Sequence, residues 1–417
     1  MKPSKAEQLC MNLVHSRFSS IRRGRLTLAL PDGTAAHFGE GLPSCVMKIN
    51  RYRFYTRLIA GGNVGLGEAW TDEDWDSDDP TGVLQLFIAN MDNLKTTGLT
   101  KGLLRRLLHL VQHALNRNTV SGSRRNIHAH YDLGNDFYRT FLDHETMMYS
   151  SALFHQPDES LAQAQKNKIH RLIDLARIGP AQHILEIGCG WGGFAVEAAR
   201  KTGCRVTGIT ISEEQHRYAT ERVKKEGLED RVDIVLCDYR NMEGAFDRIV
   251  SIEMLEAVGH AYYGTFFSTC DRLLKPGGRA VLQVITIPDQ RYAAYRRNPD
   301  WIQKYIFPGG MLPSLTELAH AMTRHSALIV EHLDNIGIHY AETLRRWRAS
   351  VTAAADDLAD LGYDGTFMRK WIYYLCYCEA GFQSRFINDL HLTLVRPAEQ
   401  DDSFYSAGTG TVEAAAL

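Results

Sequence analysis

The chain has 417 residues, with 47 Lys+Arg against 49 Asp+Glu and a hydrophobic fraction of 44%. That length predicts two domains rather than one core. The balanced charge removes the electrostatic case for nucleic acid, and no apolar run reaches the roughly 18 to 20 residues of a membrane span. Eight cysteines without C-x-x-C spacing predict neither a disulfide framework nor a metal site, which fits a reduced, cytoplasmic setting. The first residues lack the apolar stretch of a signal peptide.

Residues 1–98 read as an α+β accessory domain with its own core. GRLTLALPDGTAAHFG gives two short strands around a Pro-Asp-Gly turn, SCVMKINRYRFYTRLIAGG a strand and then a helix, and Pro80 opens a further helix. Nothing in this region looks catalytic. Residues 99–125 form a basic amphipathic linker helix, TKGLLRRLLHLVQHALNRN, followed by a Ser/Gly break and Arg124-Arg125. Its stripe suits packing on a neighbour or lying on an anionic membrane surface, and the spacing does not separate the two.

From residue 126 the chain is dense in Tyr, Phe, His and Met. The stretch Asp136 to Leu142 suits a helix, TMMYSSALF is a segment able to close over a ligand, and SLAQAQKNKIHRLIDLARI is a second helix. The stretch HILEIGCGWGGF then runs a buried strand into four glycines, Gly188, Gly190, Gly192 and Gly193, followed by a helix. Strand, glycine turn and helix form the first unit of a nucleotide-binding sheet. Strands RVTGITI, VDIVLCD, FDRIVSI and AVLQVITI continue the alternation, the last after a sharp LKPGG turn, and predict a doubly wound α/β sheet. PDQRYAAYRRNPDWIQKYIFPGGMLPS reads as a lid, EHLDNIGIHYAETLRRWR and RKWIYYLCYCEAGFQSRF as amphipathic helices, LHLTLVRP as a final strand and 401–417 as a frayed tail.

The second strand ends in Thr210-Ile-Ser212 with no acid at its tip, which weakens a dinucleotide reading. The E-x-G-x-G-x-G form beginning at Glu186, with the LKPGG turn, resembles class I S-adenosylmethionine-dependent methyltransferases instead. HYDLGNDFY, MYSSALF, LEIGCGWGG, GITISEEQ, FDRIVSIEMLEAVG, YIFPGG, IHYAETLRRW and YYLCYCEAGFQSR, in this order over about residues 124–397, resemble the cyclopropane-fatty-acyl-phospholipid synthase family, to which mycolic acid cyclopropane synthases are related. The fold expected is a Rossmann-like class I methyltransferase sheet with helical lid and insertions (residues 126–400), plus the smaller amino-terminal α+β domain. The latter resembles the extra domain of the phospholipid-acting members.

The resemblance implies methyl transfer from S-adenosylmethionine to the double bond of an unsaturated phospholipid acyl chain. A carbocation follows, and a bound bicarbonate deprotonates it. It places Glu256, Tyr340 and Cys378 at the bicarbonate. Ser151 and Gln283 stand where other members carry Cys and His; both still hydrogen-bond an anion, and Ile285 follows on the same strand. It puts Tyr149, Ser150, Glu186 and the four glycines at the methyl donor, with Thr210, Ser212 and Gln215 towards the ribose and Asp238, Tyr239 and Arg240 towards the adenine. Strand-end capping is the plainer alternative for Thr210 and Gln215. Tyr305, Phe307, Tyr340, Trp347, Tyr374 and Phe382 are aromatic candidates for the acyl channel, two or three of them lining it and the rest in the core. Peripheral attachment to the inner membrane face follows from a bilayer substrate, and a homodimer is left open. Competing readings are a methyl- or methylene-branching enzyme, a methyltransferase of a non-lipid substrate, and an inactive lipid-binding homologue.

Overall fold

The computed structural model describes residues 2–94, 133–298 and 300–398. The basic linker helix and the carboxyl-terminal tail lie outside these residues. Helix α1 (Lys5–Phe18) starts at a capping box in which Ser4 and Glu7 satisfy each other's backbone N–H groups. The hairpin β1 (Gly24–Ala29) and β2 (Ala35–Glu40) forms around the Pro-Asp-Gly turn. β3 (Ser44–Ile49) lies parallel to β1, and β4 (Trp75–Asp76) completes a sheet of order β2-β1-β3-β4. Helices α2 (Arg53–Gly61), α3 (Asn63–Thr71), α4 (Pro80–Ala89) and α5 (Met91–Leu94) pack against it, α4 opening at Pro80 with Asp79 as its cap.

The larger sheet is β5 (His183–Ile187), β6 (Arg205–Thr210), β7 (Val232–Leu236), β8 (Phe246–Ile252), β9 (Leu274–Thr286), β10 (Ile329–Asn335) and β11 (Asn388–Val395), in the order β10-β11-β9-β8-β5-β6-β7. β11 runs antiparallel to both its neighbours, whereas β9, β8, β5, β6 and β7 are mutually parallel. One face is covered by α7 (Leu161–Ala176), α8 (Gly193–Thr202) and α9 (Glu213–Lys225), the other by α10 (Tyr263–Leu273) and α13 (Leu315–His325), each with its own apolar core. The short α6 (Asn135–Arg139) precedes α7, and it is shorter than the stretch Asp136 to Leu142 suggested. The strand order reverses between β5 and β8, so ligands collect at their carboxyl ends.

Two expectations change. The residues EHLDN belong to the edge strand β10, and the helix begins only at α14 (Gly337–Ala353). Pairing with β11 overrides the apparent helical spacing there. The LKPGG turn is drawn into the irregular start of β9, where Gly277 takes φ +72° and donates to the carbonyl of Arg396.

The remaining helices are α11 (Asp289–Tyr295), α12 (Trp301–Tyr305), α15 (Ala355–Asp360) and α16 (Gly365–Gln383). The amino-terminal region does not keep its core to itself: its apolar side chains join those of α14 and α16 in one continuous cluster. Polar contacts reinforce the seam. Trp70 and Arg369 exchange hydrogen bonds of 2.9 and 2.8 Å, the Arg369 guanidinium lies 4.3 Å over the Trp70 ring, and Glu68 receives Lys304 and Tyr305 at 2.7 Å each. Among the described residues no helix is long and apolar enough to cross a membrane.

Candidate active site

A cavity of about 1400 Å³ opens at the carboxyl ends of β5, β6 and β8 and extends between the lid, α14, α16 and the amino-terminal helices. Its polar end is set by backbone. Glu186 is the last residue but one of β5, and Gly188, Gly190 and Gly192 take φ of +85°, +52° and +78°, values that favour glycine. The four glycines divide by function. Gly188 and Gly190 face the cavity, and a Cβ on Gly190 would meet only open space. Gly192 and Gly193 serve packing: a Cβ on Gly193 would come 2.3 Å from the Thr146 carbonyl oxygen, and one on Gly192 would come 3.2 Å from Ala219.

That carbonyl belongs to the segment carrying Tyr149 and Ser150, which folds over the turn as expected. Arg222 donates to Thr146 O at 2.8 Å, Gln165 to Ser150 O at 2.9 Å, and the fully buried Lys168 to Ser150 Oγ at 2.6 Å. Burial pulls the Lys168 ammonium down to about 8 against the opposing pull of Glu253, Asp389, Asp143 and Glu186. Tyr149 stacks on Trp347 with centroids 5.3 Å apart and shares a 3.0 Å hydrogen bond with Tyr374.

At the tip of β6, Thr210 Oγ1 donates to Gln215 Oε1 at 2.8 Å, and both residues line the cavity. Ser212 does not line it; its hydroxyl caps α9 by accepting from Gln215 N–H. Capping thus accounts for Ser212. Asp238, Tyr239 and Arg240 also border the cavity, with Arg240 Nε and Nη2 donating to the two Asp238 oxygens at 2.8 and 2.6 Å. Glu186 keeps one buried carboxyl oxygen without a hydrogen-bond partner among the described residues, and burial pushes its pKa well up. An open glycine cradle, an orphaned acid oxygen and a Thr–Gln pair at the second strand tip fit a donor with amino, carboxylate and ribose groups.

The other end is built from residues of five separate elements. Glu253 and Glu256 follow β8, Gln283 and Ile285 lie on β9, Tyr340 on α14, Asp389 and His391 on β11, and Ser151 on the segment before α7. Three donors meet on Glu253: Ser151 N–H and Gln283 Nε2 reach Oε1 at 2.8 Å each, and Tyr340 Oη reaches Oε2 at 2.7 Å. The same Gln283 nitrogen donates to Asp389 Oδ2 at 2.9 Å, and the Gln283 oxygen faces His391 Nε2 at 3.2 Å. Ile285 N–H donates to Glu256 Oε1. Burial first, then the neighbouring Glu253, pushes Glu256 up to about 8, so this carboxyl is protonated at neutral pH.

Of the predicted bicarbonate residues, Glu256, Tyr340, Ile285 and Cys378 border the cavity, whereas Gln283 and Ser151 are buried behind it. The Ser151 hydroxyl donates to the Ala152 carbonyl at 3.0 Å, so Ser151 serves the cluster through its backbone, the N–H donating to Glu253 and the carbonyl accepting from Gln283 Nε2 at 3.5 Å. Cys378 is a neutral thiol, its pKa raised by burial. Sequence reasoning missed Glu253, Lys168, Asp389 and His391. The only signal for Glu253 was the first of the two acids in SIEMLEAVG; the other three carry none.

Four aromatic candidates, Phe307, Tyr340, Tyr374 and Phe382, line the cavity; Trp347 and Tyr305 do not. Beyond them the amino-terminal helices contribute Leu58, Ile59, Leu66, Leu84, Phe87 and Ile88. A region without catalytic motifs therefore supplies an apolar wall.

The model of the family described as mycolic acid cyclopropane synthetase matches residues 119–392. The tuberculostearic acid methyltransferase of Mycobacterium tuberculosis is 39% identical over 89% of this chain and 88% of its own length. The cyclopropane-fatty-acyl-phospholipid synthase of Escherichia coli is 35% identical over 85% and 88%. A solved mycolic acid cyclopropane synthase in complex with SAH and CTAB aligns with a TM-score of 0.61 and 31% identity, covering 65% of this chain and 98% of that one. Together with the glycine cradle and the cavity, these similarities establish that the chain belongs to the mycolic acid cyclopropane synthetase family, S-adenosylmethionine-dependent methyltransferases of lipid acyl chains with the class I fold.

Proposed function

We propose that this protein methylates the cis double bond of unsaturated phospholipid acyl chains and closes the product to a cyclopropane ring. The observation that carries the reading is one continuous cavity, running from Gly188 and Gly190 past the carboxyl cluster to the apolar wall of the amino-terminal helices. S-adenosylmethionine supplies an electrophilic methyl group when bound. An alkene is a weak nucleophile, so the chain's own contribution is alignment and exclusion of water. Tyr149 and Ser150 cover the donor end, and the apolar wall holds the acyl chain in register. Phe307, Tyr374 and the Tyr340–Phe382 stack, with centroids 4.4 Å apart, present π-faces to the cation left on the chain.

A bicarbonate base, implied by the resemblance, would find most of its expected donors taken, Ser151, Gln283 and Tyr340 by Glu253 and Ile285 by Glu256. Of the residues assigned to it, Glu256, whose Oε2 has no partner among the described residues, and Cys378 remain at the cavity.

A second reading, supported by the tuberculostearic acid methyltransferase relative and by Gln283 and Ser151 at departing positions, ends the same methyl transfer in a methyl or methylene branch. Incubation with S-adenosylmethionine and unsaturated phospholipid vesicles separates the readings. A mass gain of one CH2 with no new alkene supports the ring, and a retained alkene supports the methylene. No lipid product while S-adenosylmethionine still binds leaves only a non-lipid methyltransferase or the inactive homologue. A phospholipid substrate also calls for peripheral attachment at the inner, cytoplasmic face. If vesicle binding survives Arg105, Arg106, Arg124 and Arg125 all changed to Gln, the linker is not the attachment site. A homodimer would appear as twice the chain mass in light scattering.

A further inference from the structure

We propose that Glu253 is the base of this enzyme, its carboxylate standing where the family reading puts a bicarbonate ion. The inference rests on the methyl-transfer reading above and deepens it. A carboxylate and a bicarbonate ion share a planar, two-oxygen anionic edge, and Glu253 presents that edge to the donors expected to hold the ion. Three of its roughly four acceptor positions are filled by Ser151, Gln283 and Tyr340, which leaves one direction open, and the residue borders the cavity.

The backbone has been bent to achieve this. Glu253 takes φ +49° directly after β8, a conformation unfavourable for a residue with a Cβ, and its N–H is fixed by a 2.8 Å bond to the Gln283 carbonyl. Strain of this kind persists where the surroundings over-determine it, and it clusters at active sites.

Gln283 is aimed by a second set of contacts. Its oxygen faces His391 Nε2 at 3.2 Å, and burial holds that imidazole neutral, so the ring donates one N–H to the amide oxygen. The two amide hydrogens are thereby committed to Glu253 and Asp389. Burial raises the Glu253 pKa, against the opposing pull of the three hydrogen bonds and Lys168, so its carboxylate is a stronger base than an exposed one.

The step balances without another reactant. The alkene electrons form the new C–C bond as the C–S bond of the donor breaks, leaving a cation on the adjacent carbon. Glu253 accepts a proton from the new methyl group, and the freed C–H electron pair closes the ring or, after a hydride shift, forms a methylene. The carboxylic acid then returns its proton to solvent once the product leaves.

The test uses the full chain with S-adenosylmethionine and unsaturated phospholipid vesicles in buffer freed of carbon dioxide, with and without added bicarbonate. Wild-type turnover is expected to be the same in both. Glu253→Gln is expected to lose about 100-fold in turnover, the scale of a general base, with S-adenosylhomocysteine affinity and melting temperature unchanged. Glu253→Gly keeps the positive φ without strain and vacates the carboxylate, so added bicarbonate is expected to restore its activity in part. Wild-type activity that needs bicarbonate, or a Glu253→Gln variant with near-normal turnover, overturns the assignment while leaving methyl transfer intact. A wild type that methylates no lipid removes the function itself.

Discussion

The two ends of the cavity are built by different means. The donor end is made of consecutive backbone: a strand, a glycine turn and a helix start within Glu186 to Gly193, with Thr210 and Gln215 one unit later. The reactive end is made of residues from a loop, the segment after β8, β9, α14 and β11, brought together by sheet order and helix packing. The first end is fixed by local conformation. The second exists only once the whole sheet is paired, so its residues cannot be found by spacing along the chain.

The largest effect that would sharpen this contrast is expected at Gly193. A Cβ there meets the Thr146 backbone oxygen at 2.3 Å, and a backbone atom cannot give way as a flexible side chain would. Gly193→Ala should cost about 3 kcal/mol of stability by denaturant titration, with donor affinity following only the loss of fold. An unchanged midpoint would show that the closing segment is not packed on the turn.

At the reactive end the corresponding experiment is a pH series. Glu256 has a folded-state pKa of about 8, well above its ordinary value of 4.5 in the unfolded chain. Between those values the unfolded chain has released the proton and the folded protein holds it, so stability falls as pH rises. The slope approaches about 1.4 kcal/mol per pH unit, and it levels off above the folded pKa. Glu256→Gln removes this component, so its unfolding free energy should lie flatter than wild type from pH 5 to 8. Parallel curves would mean that Glu256 is solvated and ionised at neutral pH, with no proton to offer an anion. Turnover of this variant should fall far less than that of Glu253→Gln.

Much of the fold was legible because it rests on local rules. The β1–β2 hairpin, the Pro80 helix start, the glycine turn and the five parallel strands follow from turn chemistry and alternation. The edge strand β10 was not legible, because its pairing with β11 decides it against a helix-like pattern. In the site, Glu186, Gly188 and Gly190 were readable from the turn, and Thr210 and Gln215 only through resemblance. Glu256 and Tyr340 were readable only through resemblance. Glu253 was passed over although it sits three residues before Glu256, because nothing in the sequence shows that Ser151, Gln283 and Tyr340 converge on it. The apolar wall from α2 and α4 was hidden for the same reason.

Gly190 tests the donor end without disturbing the fold. Its φ of +52° makes a side chain cost about 1–2 kcal/mol, yet a Cβ would meet no neighbour within 4 Å. Gly190→Val should therefore melt only slightly lower while binding of S-adenosylmethionine weakens more than about tenfold, equivalent to some 1.4 kcal/mol. Full affinity in this variant would place the donor elsewhere.

The smallest effect is expected at Thr210, where one hydroxyl links the second strand tip to α9. Thr210→Val keeps the shape but removes the 2.8 Å bond to Gln215, leaving the Gln215 amide free to turn. A neutral hydrogen bond is worth about 1 kcal/mol, so donor affinity should fall about fivefold, with little change in melting temperature. S-adenosylhomocysteine titration by calorimetry separates the two roles weighed for this pair. Loss of affinity without loss of stability assigns Thr210 and Gln215 to the ribose. Loss of stability alone assigns them, like Ser212, to holding the start of α9.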